Sequence, residues 1–372
     1  MRRTSPLILG AGPAGCAAAI VLAETGIRPT LLDRDAEVRD HLCGGFLSSR
    51  TAEQLRGLGA DPAALGAVRI DRLGLFAGRR TATIRLPSPA FALSRRTLDS
   101  ALRDRAVAAG ARLEIETARR IDGTRAIGQH RDWSGDGLFL ATGKHDLRGR
   151  PRPRLARDPA LGIRLRLAPS AARGAMLANK IELHLFRGGY AGLVLQEDGS
   201  ANLCLAVRKS LLARSGGDPL RLLADLAENH PEFAARLAHD WRQPPIESIG
   251  AVPYGWIART TAPGLFRLGD QAAVIPSLAG EGISIALASG ALAARVWTER
   301  GAAGAEPYQQ MMARRAGGPV RAARLARRFA ESEIGARLGI ELAGRLPAAM
   351  HRLIEASRIA PEASLAPSPT AP

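Results

Sequence analysis

The chain has 372 residues, 46% hydrophobic and 23% charged, which is material for about two domains of a globular protein and excludes disorder over its whole length. Its 52 Lys+Arg against 35 Asp+Glu leave a net charge of +17, suited to a polyanion, an acidic membrane surface or an acidic redox partner. Aromatics are only 4% of the residues, which argues against a nucleic-acid site built on stacked bases.

In chain order, Leu7-Ile8-Leu9 reads as a buried strand that ends in Gly10-Ala11-Gly12-Pro13-Ala14-Gly15 and opens an Ala-rich helix from Cys16 to Thr25. Thr30-Leu31-Leu32 is a second strand closed by Asp33, with Arg34 after it. A helix is expected from Thr97 to Ala109, with Gly110 as its C-cap, then a strand through Leu113 and Ile115. Leu138-Phe139-Leu140-Ala141 is a further buried strand, and Arg148 to Arg154 reads as an exposed Pro/Arg linker. Ile181 to Phe186, Tyr190 to Gln196 and Ala201 to Val207 alternate as an antiparallel meander. Asp218-Pro219 caps a helix that His230-Pro231 interrupts. Leu265 to Leu268 returns to a buried strand, followed by a loop and a helix from Gly282 to Val296. Pro319 to Arg358 is helical in pattern, with Leu325, Phe329, Ile334, Leu338, Leu342 and Leu346 about every four residues. The Pro/Ala/Ser-rich end, 361–372, reads as a disordered tail.

Cys16, Cys43 and Cys204 lie far apart without CxxC spacing, which supports neither a disulfide framework nor a zinc site, and no metal is expected. No apolar run reaches the roughly 18–20 residues of a membrane span, and the first strand starts too early for a signal peptide, so a cytoplasmic protein is expected.

Glycines at 10, 12 and 15 serve a tight turn, close approach of backbone to a pyrophosphate, and packing of helix on strand; the helix N-terminus then faces the phosphates. Asp33 stands where such a fold places a ribose acid and disfavours a 2′-phosphate, so FAD or NAD is expected over NADP. A second stretch runs Leu268-Gly269-Asp270-Gln271, Pro276, then Gly280-Glu281-Gly282-Ile283. It resembles the GD motif of the FAD-dependent oxidoreductases of the p-hydroxybenzoate hydroxylase fold, which include monooxygenases, flavin halogenases and geranylgeranyl reductases. The resemblance implies that Asp270 bonds the ribityl chain, that Pro276 lies in the flavin loop, and that N–H groups around Gly280 to Ile283 face the flavin's N1/C2 end. Arg95, in Arg95-Arg96-Thr97-Leu98-Asp99, resembles the family's pyrophosphate-side arginine.

Cys43-Gly44-Gly45 is similar to a stretch of the geranylgeranyl reductases that passes the flavin, which makes Cys43 a candidate active-site residue and His41 a weaker acid–base candidate. Tyr190 stands where those reductases begin a Tyr-x-Trp-x-Phe-Pro motif, of which only the tyrosine remains; Tyr254 also resembles that branch. The family's Ala-Asp-Gly fingerprint is Ala141-Thr142-Gly143 here, and no second GxGxxG exists; NADPH or NADH would then be a transient electron donor over Arg148, Arg150 and Arg152.

The expected fold class is α/β: a discontinuous Rossmann-type FAD-binding domain (1–75, 91–160, 250–300), a mixed-sheet substrate domain (76–90, 161–249) and C-terminal helices (301–360). The leading functional expectation is an FAD-dependent monooxygenase that hydroxylates or epoxidises a hydrophobic, aromatic or polyketide-like molecule. The alternative is a reductase or dehydrogenase of carbon–carbon double bonds. A third reading uses the arginines: ten lie between Ala313 and Arg358 against four glutamates, which would suit nucleic acid, less favoured, or peripheral association with an anionic membrane.

Overall fold

The computed structural model describes residues 5–238 and 241–360, and the expected disordered tail lies outside them. The short apolar runs assemble into one five-stranded parallel sheet, in spatial order Leu265–Arg267, Leu138–Leu140, Leu7–Leu9, Thr30–Asp33 and Arg112–Ile115. Central parallel strands are covered on both faces, which is why their sequences are continuous rather than alternating. Ile8, Leu31, Phe139 and Phe266 face the helices Pro13–Glu24, Arg95–Ala108 and Gly282–Arg300. Leu7, Leu9, Leu138 and Leu265 face a small antiparallel sheet through Ile121 and Ala126. The late strand Leu265–Arg267 pairs with Leu138–Leu140, so distant parts of the chain complete this domain.

Helices Pro13–Glu24 and Gly282–Arg300 cross at backbone contact. A Cβ on Gly290 would stand 2.2 Å from the Ala14 carbonyl oxygen.

The second sheet is mixed and eight-stranded, in order Glu247–Val252, Ala160–Leu167, Ala201–Arg208, Gly189–Leu195, Lys180–Phe186, Val68–Ala77, Arg80–Ala92 and Phe46–Leu47. The expected meander is present, and Lys180–Phe186 pairs in parallel with Val68–Ala77. Val68–Ala77 and Arg80–Ala92 form a hairpin that the sequence reading did not anticipate. Its turn uses Gly78 at φ +60°, and a bulge between Ile70 and Arg72, with Pro87 and Pro89, obscures the alternation. Helices Pro219–Asn229 and Pro231–Leu237 cover one face of the meander through Leu223, Leu226 and Phe233. The C-terminal helices are Ala305–Ala330, Glu333–Arg345 and Pro347–Ala356. Pro319, expected to open this region, instead lies buried inside the first of them. Ile340 and Ala343 pack on Leu73, Leu75 and Ile84 of the second sheet.

Candidate functional site

A cavity of about 970 Å³ runs from the first glycine turn, past the loop before Gly282, to the second sheet. At one end, Gly10 has φ +105° and a Cβ there would lie 2.5 Å from the Ala141 oxygen, while a Cβ on Gly15 would lie 1.9 Å from the Gly10 oxygen. These two glycines therefore hold the turn and pack helix on strand. Gly12 differs: a Cβ there would meet only Arg95 Nη2, at 3.7 Å, and would otherwise project into open space. Together with Ala14 it lines the cavity at the start of helix Pro13–Glu24, where unpaired backbone N–H groups favour an anion.

Arg95 stands beside this turn. Its guanidinium is held in a two-point pair by buried Asp99, at 2.8 and 2.6 Å, and that pairing explains the carboxylate four residues on. Asp33 lines the cavity, yet its Oδ2 accepts from the Ala11 N–H (2.7 Å) and its Oδ1 from the Asp35 N–H (3.0 Å). Asp33 thus braces the glycine turn from inside the protein. Arg34, half-exposed beside Asp35, sits on the wall near it.

At the other end, Gly269 and Asp270 begin a short turn, and the Asp270 side lines the cavity. Buried Arg152 bonds the Asp270 carbonyl (3.0 Å), the Lys144 carbonyl (2.7 Å) and Asp146 (2.6 Å). This corrects the expected exposed linker at that residue: Arg152 is committed to supporting the Asp270 turn, whereas Arg148 and Arg150 are exposed. Pro276 is buried; its neighbours Ile275 and Ser277 are on the wall. Gly280 has φ +68°, and a Cβ there would strike Phe46 at 2.6 Å. A Cβ on Gly282 would meet nothing within 4 Å, so the start of helix Gly282–Arg300, including Ile283, presents bare backbone to the cavity.

Glu281, between those glycines, is a functional candidate that the motif reading passed over. It is 1% exposed and lines the cavity; Oε1 is 3.8 Å from Arg358 Nε, while Oε2 is buried without a hydrogen-bond partner. Burial pushes its carboxyl up to about 7, against the opposing pull of Ser48 and Arg358. The signal that could have found it is an acid flanked by two glycines at a helix start.

Cys43 and His41 both line the cavity. The Cys43 carbonyl accepts from Asn202 Nδ2 (2.9 Å) and from the Cys204 thiol (2.9 Å), tying the Cys-Gly-Gly segment to the second sheet. Burial pushes the Cys204 thiol up to about 12, so it is an inert donor. Burial, then Arg95, holds His41 below the usual histidine range, in its neutral form at pH 7. Tyr190 and Tyr254, read separately in the sequence, converge on one serine: their hydroxyls lie 2.5 and 2.7 Å from Ser277 Oγ. Gly192, two residues beyond Tyr190 where the reductase motif has tryptophan, also lines the cavity.

The residues fit FAD. Two helix starts face one cavity, each with a glycine whose missing side chain leaves room for a ligand, and an arginine lies at the pyrophosphate-like end. A family profile described as an FAD binding domain matches residues 3–132. The chain therefore carries an FAD-binding domain, and its fold is that of the FAD-dependent oxidoreductases related to p-hydroxybenzoate hydroxylase. Among proteins similar to this flavoprotein is digeranylgeranylglycerophospholipid reductase 2 of Methanopyrus kandleri, 28% identical over 322 residues, 79% of this chain and 76% of that one. Menaquinone reductase of Mycolicibacterium smegmatis is 28% identical over 335 residues, 80% of this chain and 77% of its own. The flavin-dependent brominase Bmp2 shares the fold, with a TM-score of 0.75 at 17% identity over 95% of this chain and 93% of that one. Among the described residues no group could hold a metal ion, and no helix is long and apolar enough to cross a membrane.

Proposed function

We propose that this flavoprotein reduces a carbon–carbon double bond in a hydrophobic, isoprenoid-like chain, the second of the two reactions that the sequence left open. Glu281 carries the reading: a buried carboxyl on the cavity wall between Gly280 and Gly282, its ionisation pushed up by burial to about 7. When bound and reduced, FAD would supply the hydride for one carbon of the double bond and be left oxidised. The other carbon needs a proton, and Glu281 Oε2, without a partner in the chain, is the atom placed to hold it. Leu73, Leu86, Ile181 and Leu183 line the apolar arm and exclude water, and Gly192 leaves room for a bulky chain. Both curated relatives are named for reduction of substrates that carry isoprenoid chains, which supports the same class here. Arg95, Gly12 and the first helix start would hold the pyrophosphate, Asp33 the adenosine side, and Asp270 the ribityl chain. NADH or NADPH would deliver electrons transiently near Arg148 and Arg150.

The test is anaerobic turnover of a polyprenyl substrate with a chemical reductant in deuterated water. The reading expects two added hydrogens per bond reduced, and loss of turnover in Glu281→Gln with FAD retained. The second reading, monooxygenation, draws on the missing tryptophan strand; it predicts instead one oxygen atom from labelled O₂ in the product and no saturation.

A further inference from the structure

The helical apolar repeat near the C-terminus does not point inward. Leu325, Phe329, Ile334, Leu338, Leu342 and Leu346 are all exposed, Ile334 by 74% and Leu346 by 58%. Leu325 and Phe329 recur at i, i+4 on the end of helix Ala305–Ala330, and Ile334, Leu338 and Leu342 do so along helix Glu333–Arg345, with Leu346 just beyond it; together they are the ridge. Soluble proteins rarely leave so many large apolar side chains together in water unless something covers them. Exposed Arg321, Arg324, Arg328, Arg337 and Arg345 lie among them on the same two helices.

The inner faces of these elements do different work. Ile340 and Ala343 pack on strands whose Leu73 also lines the cavity, and Ile354 and Arg358, just beyond, reach the cavity wall. One layer of helix therefore separates the apolar arm of the cavity from the exposed ridge.

We infer that this ridge seats the protein on the surface of an anionic lipid bilayer, with the apolar side chains in the acyl boundary and the arginines among the headgroups. An apolar face bordered by arginines is the pattern of an interfacial helix lying in the membrane plane. A second copy is disfavoured as the occupant, because exposed Arg314, Arg321, Arg324, Arg328, Arg337 and Arg345 outnumber exposed Glu333 and Glu341 on these two helices and would meet the same excess on a partner. The inference stands on exposure and charge, independently of the reaction proposed above.

The experiment is flotation of the FAD-loaded protein with vesicles of phosphatidylcholine alone or mixed equally with phosphatidylglycerol. The expected result is binding to the anionic vesicles, weakened but not abolished by 0.5 M salt, and reduced at least about tenfold in the double variant Ile334→Asp, Leu338→Asp. An unchanged flavin spectrum and melting temperature in that variant show that the fold is intact, since neither side chain is in the core; Leu338→Ser alone provides a milder second variant. No binding to either vesicle overturns the inference, as does binding that the variants leave unchanged. A dimer in solution that the variants dissociate would assign the ridge to a second copy instead. Turnover of a short, water-soluble prenyl substrate should be equal in wild type and variant, so failure here is distinguishable from failure of the double-bond reading.

Discussion

Glu281 carries a cost that can be measured without any substrate. A carboxyl whose ionisation is pushed up in the folded state contributes stability that is complete below its unfolded value, near 4.5, and is lost as pH rises through about 7. Glu281→Gln removes that dependence. We therefore expect the variant to match wild type near pH 4 and to exceed it at pH 8, by on the order of 3 kcal/mol at about 1.4 kcal/mol per pH unit. Denaturant titrations across this range check it; parallel curves at all pH values would mean that folding leaves the ionisation of Glu281 unshifted. Gly12 gives a second test at this scale. Its absent side chain faces open cavity rather than protein, so Gly12→Val should leave melting nearly unchanged while weakening FAD binding at least about tenfold, read by fluorescence titration. Gly15→Val, by contrast, should not fold normally, because its Cβ would overlap the Gly10 carbonyl.

At the scale of elements, Glu333–Arg345 shows what periodicity conveys and what it leaves out. The four-residue recurrence of Ile334, Leu338 and Leu342 identifies a helix, and a helix is there. The residues that anchor it are Ile340 and Ala343, off that repeat. Ile340→Ala should cost about 2–4 kcal/mol, as buried large-to-small changes do, while Ile334→Ala should stay within about 0.5 kcal/mol, measured by chemical denaturation. The short parallel strands and the glycine turns were readable because each is local and obligatory. The hairpin Val68–Ala92 was not, since a bulge between Ile70 and Arg72 shifts the alternation and Pro87 and Pro89 interrupt it. Nor was the role of Arg152, which joins its near neighbours Lys144 and Asp146 to the carbonyl of Asp270, 118 residues away. Among the site residues, the contacts of Gly10, Gly15 and Arg95 follow from their motifs. The meeting of Tyr190 and Tyr254 at Ser277 depends on how two sheets are joined, which spacing does not encode. Arg152→Met should leave Asp146 short of its buried partner and destabilise the fold by about 3 kcal/mol, with the loss concentrated in the Asp270 turn by hydrogen exchange.

For the whole molecule, the join between the two sheets depends on Asp40. It accepts from the Arg95 N–H at 3.0 Å and is gripped by Arg164 and Arg166 of the second sheet, so the start of helix Arg95–Ala108 is bolted to that sheet. The crossing at Gly290 has a consequence of another kind. The two loops that would hold opposite halves of FAD each lead into one of the crossed helices, and backbone contact leaves no slack between them. The protein is in this sense a divalent receptor, and the dinucleotide a divalent ligand whose second half binds at an effective concentration set by that one glycine. Gly290→Val should spread the helices and lower FAD affinity at least about tenfold while changing ADP affinity by less than about threefold. Equal losses for FAD and ADP in calorimetric titrations would show that the crossing supports only the first loop. On this design the spacing of the two loops would contribute to FAD affinity beside their contacts, and a substitution remote from both loops could weaken binding.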